Sequence, residues 1–200
     1  NTKLYTGTGN SNAQTGVGFQ PDWVWLKNRS ATANHHLVDA PRGITKELRA
    51  NLANSEATDD QLITAFGSDG FTVGTSGSGN TNGDNYVAWN WKANGAGSAN
   101  TDGSTNSTKT SANATSKCSI VTYTGNDSNS TVGHGLGVVP ASIWVKQLNG
   151  SNGWRVFHKS LGATHYLALN TTAGDNSGGE VIWNDTLPTS SVFSIGTNGT

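Results

Sequence analysis

Tryptophans are the side chains in this chain whose type and spacing best suit contact with a ligand. Trp23 and Trp25 lie two residues apart, as do Trp89 and Trp91. Because side chains alternate along a strand, each pair is predicted to lie on one face of a sheet. An exposed indole stacks on sugar rings and is a preferred anchor in protein interfaces. The opposing interpretation is that these rings fill a core or a seam between domains or subunits.

Two other tryptophans, Trp154 and Trp183, have no counterpart in the internal repeat described below, which makes them candidates for a specific role. Trp25, by contrast, recurs as Trp144, and a position kept in both copies suits packing better than a tuned ligand contact. The predicted ligand-binding residues are Trp154, Trp183, Trp89 and Trp91.

Residues for nucleophilic or acid–base catalysis do not form a recognisable set. The sequence has no Gly-x-Ser-x-Gly turn, and nothing in it fixes a histidine beside a serine. A glycosidase needs two facing carboxylates, but Asp22 aligns with Ser142 and Asp39 with His158 between the two copies. The chain is therefore predicted not to be an enzyme, and glycan degradation is the less favoured alternative.

The spacing of histidines and acidic residues gives little evidence for a metal site. His35 and His36 are adjacent, so a strand would turn them to opposite faces. Asp59-Asp60 and Asn80–Asn85 are oxygen-rich stretches that could hold Ca²⁺, although a solvated loop is the favoured interpretation of both. No cofactor is predicted, and Ca²⁺ is the alternative left open.

The composition argues against several classes of partner. Charged residues make up 12% of the chain and the net charge is -1, so the chain lacks the basic surface that nucleic acid or an anionic membrane attracts. No apolar run has the length of a membrane-spanning helix. Cys118 is the single cysteine, so no disulfide forms within the chain, and packing and hydrogen bonds must hold the fold.

These residues belong to a sequence that occurs twice. The matching stretches are Tyr5-Thr6-Gly7 with Tyr123-Thr124-Gly125, 18–27 with 137–146, Gly43 with Gly162, and Phe71 with Phe193. The offset between the copies grows from 118 to 119 to 122 residues. A period of this length corresponds to a domain, so one fold is predicted to have been duplicated.

The repeat predicts two domains of ordinary size. The first occupies 1–95 and the second 117–200. Between them, 96–116 consists almost entirely of Gly, Ala, Ser, Thr and Asn, which is typical of a flexible linker. Within that stretch, Thr108–Thr115 is an alternative strand of the second domain.

Short strands joined by turns are predicted in both repeats, with no long amphipathic helix. Asp22–Asn28 is apolar on both faces and is predicted to be a central strand. Glu47–Leu52 also fits a helix, but its counterpart His165–Asn170 has a strand pattern, so strands are predicted for both. The other predicted strands are Lys3–Thr6, His35–Asp39, Leu62–Phe66, Gly70–Gly74, Asn85–Lys92, Ala141–Gln147, Trp154–His158, Glu180–Trp183 and Ser191–Gly196.

The last strand of the first repeat, Asn85–Lys92, has no counterpart before Thr200. Either the natural protein continues, or a strand from elsewhere fills the place, because an unfilled edge invites pairing. The predicted fold class is all-β: two tandem antiparallel β-sandwich, jelly-roll-like domains related by internal duplication, the second lacking its final strand.

Several motifs resemble a repeated module of large phage structural proteins. They are Gly18–Ser30, Asp39–Gly43, Ser68–Gly74 and Tyr86–Lys92 in the first repeat, and Val132–Pro140 and Phe157–Gly162 in the second. The resemblance is to tail-fibre-like and other virion proteins of marine and cyanobacterial phages, and it covers nearly the whole chain. It implies a location on a virion and supplies no catalytic residues.

Together these features predict a virion structural protein: a tail-fibre or surface-exposed module for display and host adhesion through many weak contacts. The expected partners are further copies of the chain, in a homotrimer or higher assembly, other virion proteins, and a host cell-surface glycan. Nucleic acid binding and membrane insertion are not expected. The alternative function is a purely architectural decoration module of a capsid, tube or filament.

Overall fold

The computed structural model describes residues 1–198 and shows an all-β protein built from several antiparallel sheets. The chain divides into two compact units. Unit 1 comprises Asn1–Ala50 and Glu56–Ala96, and unit 2 comprises Asn51–Ser55 and the described residues from Gly97 onward.

Unit 1 is made of two sheets and one turn of helix. Its elements are β1 (Thr2–Thr6), β2 (Asn12–Gln14), β3 (Trp23–Asn28), β4 (His35–Asp39), β5 (Lys46–Arg49), β6 (Ala57–Thr58), β7 (Ala65–Gly67), β8 (Gly70–Val73), α1 (Gly77–Asn80) and β9 (Asn85–Trp91). The larger sheet has the order β1-β9-β3-β4-β5-β6, and the smaller has the order β2-β8-β7. The prediction of a strand at Glu47–Leu52 is confirmed over Glu47–Arg49, where the chain forms β5.

The strands β3 and β9 are neighbouring interior strands of the larger sheet, and β3 is central, as its two-sided apolar pattern predicts. Val24, Leu26 and Ala88 are all 0% exposed and face the interior. They pack against Phe71 and Val73 of the smaller sheet. Burying such side chains between two sheets holds a sandwich together, and each large one contributes about 1.5–3 kcal/mol.

Two tyrosines link this core to the helical turn α1. The rings of Tyr5 and Tyr86 stack with centroids 5.1 Å apart. The hydroxyl of Tyr5 donates to the carbonyl of Gly79 at 2.5 Å, and the backbone N–H of Thr81 donates to the hydroxyl of Tyr86 at 2.9 Å. Both buried hydroxyls therefore have partners, which avoids the cost of a buried unpaired polar group.

Unit 2 has smaller sheets. Its elements are β10 (Ser98–Asn100), β11 (Ser107–Asn113), β12 (Cys118–Tyr123), β13 (Ser130–Gly133), β14 (Ser142–Val145), β15 (Arg155–His158), β16 (His165–Tyr166), β17 (Asn176–Ser177), α2 (Gly179–Ile182) and β18 (Val192–Ile195). They pair as β10-β11-β12, β13-β18, β14-β15 and β16-β17. Tyr123 and Ile143 pack against both apolar clusters of this unit.

Four pairings of unit 2 repeat the registers of unit 1 at the offsets found in the sequence. The matching pairs are Gln14↔Phe71 with Val132↔Phe193, Trp23↔Asp39 with Ser142↔His158, Leu37↔Leu48 with Val156↔Leu167, and Lys46↔Thr58 with His165↔Ser177. The aromatic contacts agree as well. The rings of Phe71 and Tyr5 meet edge-on with centroids 6.3 Å apart, and those of Phe193 and Tyr123 meet edge-on at 6.1 Å.

Several stretches differ from the sequence-based predictions; the strand predicted at Leu62–Phe66, for example, begins only at Ala65, as β7. Within 96–116, for which the composition predicts a linker, the structure has β10 and β11. Serine and threonine are accommodated in a buried β-strand when their hydroxyls form hydrogen bonds. Thr110 and Ser107 show this, because both side chains are buried and their hydroxyls lie 2.7 Å apart.

The prediction of a strand at Glu180–Trp183 is wrong, because the chain forms the helical turn α2 there. The N–H of Trp183 donates to the carbonyl of Gly179 at 2.6 Å. Gly178 precedes the turn with a φ of 113°, a conformation that glycine adopts readily. A run of apolar residues this short does not distinguish a strand from a buried turn of helix.

Candidate functional site

Four tryptophans of unit 1 form one surface, which we call the tryptophan face: Trp23, Trp25, Trp89 and Trp91. The register of β3 and β9 sets Trp23 opposite Trp91 and Trp25 opposite Trp89. The first pair is stacked with centroids 4.3 Å apart, and the second meets edge-on at 5.7 Å. Aromatic pairs in these geometries contribute about 0.5–1.5 kcal/mol beyond their buried area.

The tryptophan face lies on the side of the sheet that faces away from the sandwich core. The strand alternation that buries Val24 and Leu26 turns Trp23 and Trp25 outward. Trp89 is 37% exposed, and the other three rings are half-buried. The prediction that each tryptophan pair shares a sheet face is confirmed.

The charged groups beside the tryptophan face are engaged within the protein, and among them is Asp39, the register partner of Trp23, which is paired with Arg42. The ring of His35 lies 6.2 Å from that of Trp25. Burial lowers the pKa of His35, and the positive charges of Lys27 and His36 lower it further, so this imidazole is neutral at pH 7. The ammonium of Lys27 is directed to the carbonyls of Asn28 and Ala31, at 2.6 and 3.5 Å. The face therefore suits an uncharged ligand with an apolar surface.

The structure separates the four predicted ligand-binding tryptophans. Trp89 and Trp91 belong to the tryptophan face, whereas Trp154 and Trp183 lie in the interior of unit 2 at 4% and 1% exposed. Trp183 packs edge-on against Phe157 at 6.1 Å. The burial of Trp154 and Trp183 matches the competing interpretation, in which such rings fill a core.

Unit 2 carries a reduced version of the same surface. Trp144 of β14 corresponds to Trp25 and is 37% exposed, and its indole N–H donates to the hydroxyl of Ser142 at 3.0 Å. Ser142 occupies the position of Trp23, so the stacked pair cannot form there. Sequence spacing could not find the four-ring cluster, because it depends on the register between β3 and β9, which are far apart in sequence.

A buried charged cluster lies on the opposite, inner side of the sheet in unit 1. Glu47 is 3% exposed and forms ion pairs with His36 and, at 2.7 Å, with Arg49. Burial raises the pKa of Glu47, but the hydrogen bonds and charges of His36 and Arg49 outweigh it and lower that pKa overall. Both carboxylate oxygens are engaged within the protein, which is the arrangement of a structural ion pair.

A second ion pair closes the turn after β4. Arg42 is bonded to Asp39 at 2.6 Å and to Glu56 at 3.1 Å, and it donates to the carbonyl of Leu37 at 3.2 Å. Arg42 and Asp39 are almost fully buried. These contacts hold the loop that leads to β5, and the carboxylates of Asp39 and Glu56 are both engaged by Arg42.

The stretches considered for calcium use their oxygens within the fold. Asp59 accepts hydrogen bonds from the N–H of Gln61 and from the hydroxyl of Ser76, at 3.0 and 2.6 Å. The amide oxygen of Asn80 accepts from the N–H of Thr8 at 2.9 Å. Among residues 1–198 no group of three or more His, Cys, Asp or Glu side chains is placed to hold a metal ion.

Comparison with known proteins gives one match. The family model described as "Domain of unknown function (DUF7483)" matches residues 1–200. No curated protein and no solved structure matches the chain. Within the part of the chain that the structure describes, neither helix is long or apolar enough to cross a membrane.

Proposed function

Because this chain belongs to the DUF7483 family, whose description names no activity, we propose a function from its own surface: a non-enzymatic adhesion module that binds glycan through the tryptophan face. The observation that carries the proposal is the cluster of four indoles on the outer side of β3 and β9, with Trp89 37% exposed. A rigid aromatic surface of low charge stacks on the apolar face of a sugar ring.

The proposal includes an internal duplication in which unit 2 is a second copy of unit 1. Four shared registers and the matched contacts of Tyr5 with Phe71 and of Tyr123 with Phe193 support it. A second matched contact is that of Lys146, whose ammonium donates to the carbonyls of Gln147 and Gly150 in the hairpin after it, just as Lys27 donates to carbonyls of the hairpin after β3.

We place this module on a virion, in a tail fibre or another exposed part, on the strength of the sequence resemblance to such proteins. Weak contacts repeated across copies gain avidity, since each further contact becomes intramolecular. A homotrimer or higher assembly would supply those copies, and a host cell-surface glycan would be the ligand. Neither cofactor nor metal is required for stacking of this kind.

The alternative is a purely architectural role in a capsid, tube or filament. It is favoured by the way Trp23 and Trp91 stack on each other at 4.3 Å, which leaves only part of their surface for a ligand. Half-buried aromatic residues also suit an interface with another virion subunit. In that case the tryptophan face would be covered in the assembled particle.

Titration of the chain with a panel of neutral oligosaccharides tests the adhesion function. The signals of the indole N–H protons in NMR spectra report which tryptophans contact the sugar. We expect Trp89 and Trp91 to shift, and Trp89→Ala to weaken binding at least tenfold, which is about 1.4 kcal/mol. Trp144→Ala is the matched control, because Trp144 is equally exposed at 37%, and it should leave the affinity unchanged.

Two results would contradict the glycan proposal. One is an equal loss of affinity in the two variants. The other is the absence of any shift across the panel, together with failure of the labelled oligomeric chain to attach to intact bacterial cells. Self-association through the tryptophan face, seen by light scattering and lost in Trp89→Ala, would favour the architectural alternative.

A further inference from the structure

Arg155 of unit 2 is a cation to which the described residues supply no acid. It occupies the register position in β15 that His36 has in β4 of unit 1. None of the ion pairs among the described residues includes Arg155. The carboxylate of Asp175, also in unit 2, lies 3.9 Å from the ring of His165 instead.

The acid that serves this position in unit 1 has no equivalent in unit 2. Glu47 forms ion pairs with His36 and Arg49. The offset of 119 residues places Tyr166 at the position of Glu47 and Ala168 at the position of Arg49. This exchange removes the carboxylate and one of the two basic side chains, so a single positive charge remains in unit 2.

The guanidinium of Arg155 is covered on one side and open at its end. Its carbon atom Cζ lies 5.0 Å from the ring centroid of Tyr166, in a cation–π contact. Its Nε is buried and has no hydrogen-bond partner in the described part of the chain, whereas neither terminal nitrogen is enclosed in this way. Partial removal of water from a charge increases what it gains from a charge-assisted hydrogen bond. The two terminal nitrogens are the donors that can make such a bond.

A second donor lies beside them, at a space that a glycine leaves open. A Cβ atom placed on Gly153 would lie 3.4 Å from Nη1 of Arg155, and 3.5 Å from Nδ2 and 3.1 Å from Oδ1 of Asn170. That Oδ1 already accepts the backbone N–H of Trp154 at 2.9 Å. This bond fixes the orientation of the amide, so its NH2 group is the part that can donate. A guanidinium and an amide donor therefore meet at the volume that a side chain would fill.

We propose that Gly153, Arg155 and Asn170 form a second binding site, which we call the Arg155 site, and that it binds the carboxylate of an acidic sugar such as a uronic acid. One carboxylate oxygen would accept from the guanidinium and the other from the amide of Asn170. The carboxylate follows from these side chains, whereas the choice of a sugar rests on the proposed adhesion function.

The charge of the Arg155 site favours a carboxylate over a phosphate. A phosphate monoester carries about −1.5 to −2 charges at pH 7, which one guanidinium does not neutralise. A carboxylate carries a single charge, and its two oxygens lie in one plane, as the guanidinium donors do. The match in charge and shape therefore predicts that glucuronate binds more tightly than glucose 6-phosphate.

Titration of the whole chain with glucuronate, glucose and glucose 6-phosphate tests the Arg155 site. The NMR signals of the Arg155 guanidinium and of the Asn170 side-chain amide report contact with the ligand. We expect both signals to shift saturably with glucuronate and to stay in place with glucose, because only the former carries a charge. Added salt should weaken the binding of glucuronate, since it screens the attraction.

A matched pair of variants separates this site from general attraction by positive charge. Arg155→Gln should weaken the binding of glucuronate by about tenfold or more, which is about 1.4 kcal/mol. Lys159→Gln removes the same charge from an exposed lysine of unit 2 and should leave the affinity unchanged. Circular dichroism confirms that each variant is folded.

Two further variants fill the site from within. Gly153 is not among the glycines with a left-handed backbone, so Gly153→Ala suits its conformation and places a methyl group between the donors. Asn170→Asp keeps an oxygen for the N–H of Trp154 and adds a carboxylate that can pair with Arg155. Both variants should bind glucuronate about tenfold more weakly or not at all.

The proposal is overturned by any of three results with folded protein. The first is the absence of a saturable shift with glucuronate at millimolar concentration. The second is equal binding of glucose, or tighter binding of glucose 6-phosphate. The third is an equal effect of Arg155→Gln and Lys159→Gln.

Failure of the Arg155 site and failure of the tryptophan face are distinguishable. Trp89→Ala should leave the binding of glucuronate unchanged, and Arg155→Gln should leave the binding of neutral oligosaccharides unchanged. Saturable binding of glucuronate by a chain that binds no neutral oligosaccharide would support the Arg155 site and contradict only the tryptophan face.

Discussion

In unit 1 the strand β9 lies between β1 and β3 and joins six strands into one sheet, whereas in unit 2 the corresponding β12 and β14 end separate sheets. The packing reflects this difference. Leu26 of β3 is 0% exposed and its counterpart Val145 is 8% exposed. Val24 is fully buried, while Ile143 is only partly so. One strand in the middle of a sheet therefore seals the core on both of its sides.

At one pair of matching positions the two units form different side-chain interactions. His36 forms an ion pair with Glu47 across β4 and β5. At the same positions of unit 2, the guanidinium of Arg155 lies 5.0 Å from the ring centroid of Tyr166 in a cation–π contact. The registers agree although the side chains do not, which indicates that backbone pairing and the apolar pattern fix the fold and leave such pairs free to change.

Truncating the equivalent core residues Leu26 and Val145 should give the largest difference in unfolding free energy between the two units. We expect Leu26→Ala to lower the free energy of unfolding of unit 1 by about 4 kcal/mol, because Leu26 is fully enclosed. Val145→Ala should lower that of unit 2 by about 2 kcal/mol, since less area is lost. Urea unfolding followed residue by residue with NMR measures both, and equal losses would show that β9 does not seal the core.

As the pH falls, unit 1 should lose stability at a higher pH than unit 2, because unit 1 contains Glu47. The folded-state pKa of Glu47 lies below its ordinary value of 4.5, so its stabilisation is complete above pH 4.5 and is lost as the pH falls through the lowered pKa. The matching pair of unit 2 contains no carboxylate. Glu47→Gln should cost about 3 kcal/mol at pH 7 and flatten the acid dependence of unit 1.

Stability curves of the wild-type chain and of Glu47→Gln between pH 7 and pH 3 provide the measurement. Glu56→Gln is the control, because Glu56 is more exposed and shares Arg42 with Asp39. A variant that keeps the full acid dependence of unit 1 would show that Glu47 does not cause it.

Tyr5 and Tyr123, which occupy matching positions in the two units, should respond differently to loss of the hydroxyl. Tyr5→Phe removes the donor to the Gly79 carbonyl and should cost about 1–2 kcal/mol. Tyr123→Phe removes a buried hydroxyl that has no hydrogen-bond partner in the described part of the chain, so it should leave the stability of unit 2 unchanged or raise it. Thermal unfolding of both variants checks this, and an equal loss would mean that the hydroxyl of Tyr123 has a partner in solution.

The smallest effects should be equal in the two units. Lys27 and Lys146 each donate to carbonyls of the hairpin that follows, at 2.6 and 2.7 Å for the shortest contacts. We expect Lys27→Met and Lys146→Met each to cost about 0.5–1 kcal/mol. A clear difference between them, measured by the same denaturant titration, would weaken the case that the units are two copies of one plan.

The sequence predicted those features that depend on local pattern. The alternation in Asp22–Asn28 predicted a central strand, and the repeat correctly favoured a strand over a helix at β5. The short strand β2 and the helical turn α2 were missed, because each contains too few residues for a period to show. The strand β10 was missed in a stretch whose composition also fits a linker, whereas the alternative strand at Thr108–Thr115 is confirmed by β11.

The sequence predicted only part of the candidate site. Spacing placed Trp89 and Trp91 on one face, but the stacking of Trp23 on Trp91 depends on a pairing between distant strands. The burial of Trp154 and Trp183 depends likewise on tertiary packing. The unpartnered hydroxyl of Tyr123 could be recognised only by comparison with the contacts of Tyr5.

Hydrogen exchange of the whole chain, resolved to single amides, tests most directly the account that the two units share one strand plan and that, among residues 1–198, no strand pairs with the edge of β12 that faces away from β11. The account predicts slow exchange at Lys3 and Tyr5, which face β9, and fast exchange at Val121 and Tyr123, which occupy the same positions in unit 2. Equally slow exchange at all four amides would contradict it.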